Sequence, residues 1–132
     1  LFRSPVEYLI PLIRRINAIK LTPEQRENLA KSEHLRWCAF HYSFGFDVMS
    51  KEEFIKRIKQ RNQEIEQYGK SSIKLTKDME NFKHVCLVSW DELDEISKIE
   101  NSLTHDNINY KNYDRQNIDM IIDIIQAKSQ EK

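Results

Sequence analysis

Glycine and proline are scarce in this chain, with 2 and 3 in 132 residues. A β-sandwich or barrel turns often and spends more of both, so their scarcity argues against those architectures and for helices. Two glycines cannot build a glycine-rich phosphate loop, and no G-x-S-x-G elbow is present, so neither motif-based enzyme chemistry is open to the chain. Cysteine is nearly missing too. Cys38 and Cys86 are too few and too far apart for a disulfide framework, which makes a reducing, cytoplasmic setting the expectation. No apolar run approaches the ~20 residues of a membrane span, and no membrane contact by this segment is expected. A net charge is also lacking. With 21 basic and 21 acidic residues, nothing attracts the chain as a whole to nucleic acid. The chain opens on Leu1 rather than methionine and is read as a fragment of a larger protein whose fused domain lies outside it.

What is present suits one domain over residues 1–132, mainly α: a small helical domain with minimal short β content. Ser4-Pro5 opens an apolar periodic stretch and predicts a helix over 5–19, bent or shortened by Pro11. Three capping boxes follow, Thr22-x-x-Gln25, Ser50-x-x-Glu53 and Ser89-x-x-Glu92, each a start signal. They predict helices over 22–44, 51–68 and 90–101, the first two stopped by Gly45 and Gly69. Helix 51–68 is polar apart from a stripe of Phe54, Ile55, Ile58, Ile65 and Tyr68, and reads as a solvated outer helix, its charges too interspersed for a nucleic-acid face. A short helical turn is expected near 76–82. Val85-Cys86-Leu87-Val88 reads as a buried extended segment, and Ile118, Ile121, Ile122 and Ile125 mark a last helix over 114–127.

The chemistry concentrates at Glu33-His34-Leu35-Arg36-Trp37. Helical spacing sets Glu33, His34, Trp37 and His41 on one side of a helix, a face too polar for a core stripe and too aromatic for a solvated surface. Trp37 reads either as a half-buried anchor or as a ring that stacks on a ligand. Arg36 and Arg115 are candidates for gripping phosphate, while an internal salt bridge from Arg115 to Glu33 or Asp114 is the competing reading. His34 reads first as a structural histidine, and Trp90 as a core plug or the opposite wall of a ligand pocket. His34, Cys38, His84 and Cys86 supply four soft donors, but their spacing matches no common zinc motif, so no metal and no cofactor is expected.

Four pieces of the chain carry a resemblance: Leu29-Ala30-x-x-Glu33-His34-x-Arg36-Trp37, Gly45-Phe46, Leu87-Val88-Ser89-Trp90-x-x-Leu93 and Tyr113-Asp114-Arg115-x-x-Ile118. In this order they resemble the ryanodine receptor domain, a module found in pairs in animal calcium-release channels and singly in bacterial proteins. The resemblance implies a domain over about 22–127 with a long polar helical insert at about 47–83, the helix 5–19 lying outside it. The family usually has an indole where Phe46 stands and a proline where Ser89 stands.

By that resemblance the chain is a non-enzymatic regulatory or sensory module of bacterial type. Paired copies in the channels form a cleft for an adenine nucleotide, so an adenine-nucleotide-like small molecule is the expected ligand, with Trp37 stacking on the base. Glu33, His34, Arg36, His41, Trp90 and Arg115 are the accompanying candidates. A single copy would complete the paired cleft as a homodimer. The alternative is a protein-interaction or assembly module whose polar–aromatic cluster is internal architecture.

Overall fold

The computed structural model describes residues 20–130, and the predicted helix 5–19 lies outside the described residues. Helix α1 spans Pro23–Ser43, α2 Lys51–Tyr68, α3 Leu93–Thr104 and α4 Tyr110–Gln130; three two-residue strands, β1 Asp47–Val48, β2 Lys77–Asp78 and β3 Lys83–His84, complete the elements. The fold is mainly α with a minimal sheet. Among the described residues no helix is long and apolar enough to cross a membrane.

The start and stop signals act as the side chains dictate. The Thr22 N–H donates to Gln25 Oε1 at 2.9 Å and the Gln25 N–H to Thr22 Oγ1 at 3.1 Å, a reciprocal capping box that opens α1. The Glu53 N–H donates to Ser50 Oγ at 3.1 Å and opens α2. At the end of α1, the Gly45 N–H donates to the Tyr42 carbonyl and the Phe46 N–H to the His41 carbonyl. This double closure needs a left-handed residue at its centre, and Gly45 takes it with φ 86°. Gly69, at φ 75°, closes α2 in the same hand.

The described residues fall into two compact units: the chain up to Arg36 together with the stretch from Asn112 onward, and Trp37–Lys111. In the second unit α2 packs against α3, with Asn62 Nδ2 donating to the Leu103 carbonyl at 2.9 Å. Phe54 and Ile58 of α2 are fully buried, as are Ile96 of α3 and Val85. Strand β3 is central, parallel to β1 and antiparallel to β2. In the first unit Ala30 and Ile118 are fully buried, with Ile121 and Ile125 nearly so.

Four expectations need correction. The buried run Val85–Leu87 is a turn beyond β3 rather than a strand, because an apolar run reports burial and not extended geometry. The stretch 76–82 holds β2 and a turn instead of helix; Asp78 Oδ1 accepts the N–H groups of Glu80 and Asn81, a local pattern that competes with helix. Ser89 does accept the Glu92 N–H, but the box caps a tight turn and α3 begins only at Leu93. Helix α4 starts a turn earlier than Asp114, at Tyr110, where Asn109 Oδ1 accepts the Lys111 N–H and Ser97 Oγ the Tyr110 N–H.

Candidate functional site

The Glu33–Trp37 cluster divides between the two units. In the first, Glu33 is buried to 4% exposure and Arg36 grips its carboxylate with Nε at 2.9 Å and Nη2 at 2.6 Å. The spacing i, i+3 on one helix face makes this fork possible. His34, 3% exposed, sets Nδ1 3.9 Å from Asp114 Oδ2 of α4. Burial and the neighbouring Glu33 push the Asp114 carboxyl up to about 7, against the opposing pull of Arg36. Arg115 forms the expected internal ion pair with a different partner: Glu27, at 2.6 and 2.9 Å, rather than Glu33 or Asp114. Glu33 is already matched to Arg36, and Glu27 stands about two turns earlier on α1, within reach of Arg115. A third link joins Arg26 to Asp119, two bonds of 2.7 Å.

In the second unit Trp37 belongs to a network of rings. Its indole lies 4.0 Å from the His41 imidazole, tilted by 37°, and 4.8 Å edge-on from His84. His41 continues to Phe46 at 5.4 Å, Phe46 to Phe82 at 5.4 Å, and His41 through Phe40 to Phe44. Offset and edge-on contacts at these separations are the favourable aromatic geometries. The network is buried at its middle and open at both ends: Phe46 is nearly buried, while Phe40 and Phe44 on one side and Phe82 on the other are 49%, 63% and 47% exposed.

His84 is the polar pivot of this network. Its Nδ1 accepts the Cys86 N–H at 3.1 Å, which leaves the proton of the neutral ring on Nε2. Burial, then repulsion from His41 and Lys77, pushes its pKa down to about 4. His41 Nδ1 meets the Trp37 carbonyl at 3.0 Å, one helical turn back. Lys77 holds its ammonium 5.1 Å from the Phe46 ring centre. Phe82 adopts φ 53°, a left-handed conformation that costs a bulky L-residue roughly 1–2 kcal/mol.

Trp90 is 7% exposed, with the Lys111 ammonium 5.2 Å above its ring and 2.8 Å from Asp94 Oδ2. Trp90 is thus a core plug. Among the described residues no three His, Cys, Asp or Glu side chains converge as a metal site. The sequence pointed to Trp37, His41 and Phe46 through the motif, but not to Phe40, Phe44, Phe82 or His84 as ring partners. Phe40 and Phe44 meet as an i, i+4 pair at the end of α1, which helical spacing does encode, whereas Phe82 and His84 are joined to the rings only through the β2–β3 hairpin, which no spacing rule encodes. Searches of family models, of curated proteins and of solved structures find no match to this chain.

Proposed function

We propose that this chain is a non-enzymatic interaction module that binds a protein partner through the exposed phenylalanines of its ring network. The carrying observation is the ring chain Phe44–Phe40–His41–Phe46–Phe82, rooted at the buried Phe46 and carrying three exposed phenylalanines, Phe40, Phe44 and Phe82. Exposed aromatic clusters of this kind mark association surfaces, and aromatic anchors dominate binding energy there. The strained backbone at Phe82 fits the same reading, since strain is retained where it presents a functional side chain. The charged groups expected to clamp a phosphate are spent internally: Arg36 on Glu33, Arg115 on Glu27. A phosphate there would have to displace a carboxylate already held by two hydrogen bonds. The test is a photo-crosslinking residue in native cells at position 44, with position 59 on the outer face of α2 as control. A discrete adduct at 44 and none at 59 is expected; equal labelling at both overturns the reading.

A second reading keeps a small ligand. The half-exposed Trp37 indole, beside His41 and the neutral His84, is a flat surface on which a planar, nucleotide-like ring would gain about 1–3 kcal/mol by stacking. This is the role that the resemblance to the ryanodine receptor domain implies, and it comes without the arginine clamp. Adenine nucleotides titrated against indole fluorescence, in wild type and Trp37→Ala, decide it: a saturable change lost in the variant supports stacking, and no change in wild type removes it.

A further inference from the structure

We propose that a separate cleft in the Trp37–Lys111 unit binds a small zwitterion of the free α-amino-acid class. The cleft is an open surface depression of about 460 Å³ and draws on Arg61 of α2, the loop 71–76, Glu100 of α3, Asp106 and Ile108 of the following loop, and Tyr110 at the start of α4. None of these residues belongs to the ring network, so this inference does not rest on the function proposed above.

Two observations single the cleft out. The first is an unspent arginine. Arg26, Arg36, Arg57 and Arg115 each hold a carboxylate, whereas Arg61, half-buried, makes no salt bridge or side-chain hydrogen bond among the described residues. Lys74 and the Asp106 carboxylate in the same lining also stand without an ion-pair partner there. The second is Glu100, 2% exposed, with one carboxylate oxygen accepting the Tyr110 hydroxyl. Burial raises the Glu100 pKa, the Tyr110 hydrogen bond opposes that, Asp106 adds to it and Arg61 opposes it. The carboxyl is held in place at the lining, and Arg61 acts on its charged form through space without closing a salt bridge on it.

The loop between is built rather than loose. Arg57 donates from Nε and Nη2 to the Lys74 carbonyl at 3.0 and 2.7 Å, and from Nη2 to the Lys77 carbonyl at 3.1 Å. Ser71 Oγ accepts the Ile73 N–H at 3.2 Å. A prepared lining loses little conformational entropy when a ligand arrives.

The charge pattern selects the ligand class. Two cations and two acids leave the lining near neutrality, with both signs unsatisfied. A phosphate ester adds negative charge against Glu100 and Asp106, and a polyamine adds positive charge against Arg61 and Lys74. A zwitterion satisfies both: its carboxylate matches the planar fork of Arg61, and its ammonium supplies a direct ion-pair partner for Glu100 and Asp106. Ile73, Leu75 and Ile108 leave apolar room for a side chain.

The experiment is an amide-resolved NMR titration of the full chain with each free amino acid at millimolar concentration, following residues 71–76 and 106–110. A saturable shift confined to these segments is expected from at least one amino acid. The N-acetyl and methyl-ester forms of that amino acid each lose one charge and should bind about tenfold more weakly or worse. Arg61→Met should weaken binding similarly while Lys59→Met leaves it unchanged; Arg61→Lys, which keeps charge but not the fork, covers an unfolded Arg61→Met and should also weaken it. No saturable shift from any free amino acid, capped forms that bind equally, or inorganic phosphate binding the cleft as well as the amino acid does would each overturn the proposal.

Discussion

Asp114 and His84 are the two most perturbed ionisable groups with a stated value, one in each unit, and they are perturbed in opposite senses. Burial drives both toward the neutral form: the carboxyl of Asp114 rises to about 7 and the imidazole of His84 falls to about 4. Their surroundings answer that burial differently. Around Asp114 the first unit assembles charge against charge, with Glu33 on Arg36 and the His34 ring at 3.9 Å. Around His84 the second unit assembles rings, and leaves the outermost of them to solvent. Charges in low dielectric must be paired, while rings satisfy one another and can stay exposed. The motif at 33–37 therefore reads as one cluster in sequence and acts as two devices in the fold.

The largest expected effect is on the paired side. Arg36→Ala strands the Glu33 carboxylate at 4% exposure, and breaking such a pair by removing one partner should cost roughly 2–4 kcal/mol in urea unfolding. A variant as stable as wild type would show that pairing does not hold the first unit.

The pH dependence sharpens the contrast. Between pH ~4 and ~7 folded Asp114 keeps a proton that the unfolded chain has released, so its contribution is complete below pH ~4 and is lost as pH rises through ~7. His84 runs the other way: its contribution is present above pH ~6.5 and is lost as pH falls toward ~4. The two slopes oppose each other in wild type. In Asp114→Asn, stability relative to wild type should gain as pH rises through this window; in His84→Phe it should lose. Glu100, shifted in the same direction as Asp114, is common to all three proteins and drops out of the differences. Parallel profiles for the two variants would break the comparison.

Arg115→Ala should do less. The pair with Glu27 is partly exposed on both sides, 22% and 39%, so screening limits its loss to about 1 kcal/mol or below. A Glu27→Gln, Arg115→Ala double variant measures the coupling directly. The smallest effect on stability is expected at an exposed end of the ring chain: Phe44→Ser, at a site 63% exposed, should change unfolding by about 0.5 kcal/mol at most. A markedly larger loss would mean that Phe44 is part of the core and not part of a surface for a partner.

How much was legible in the sequence differs by feature. Local signals were read well: Thr22 with Gln25, Ser50 with Glu53, and both glycines mark helix ends where the backbone hydrogen bonds place them. These interactions span three or four residues, so sequence alone determines them, and with them the mainly helical class. Trp37 and His41 were also placed on a shared helix face, and their rings do meet. What needed the tertiary structure was every partner brought from afar: Glu27 for Arg115 across 88 residues, Phe82 and His84 for the ring network, and the choice of turn over strand at Val85–Leu87. Residue chemistry says that a buried charge needs a partner. Which partner it takes is set by packing, because an ion pair or ring contact depends on distances of a few ångströms that sequence separation does not encode.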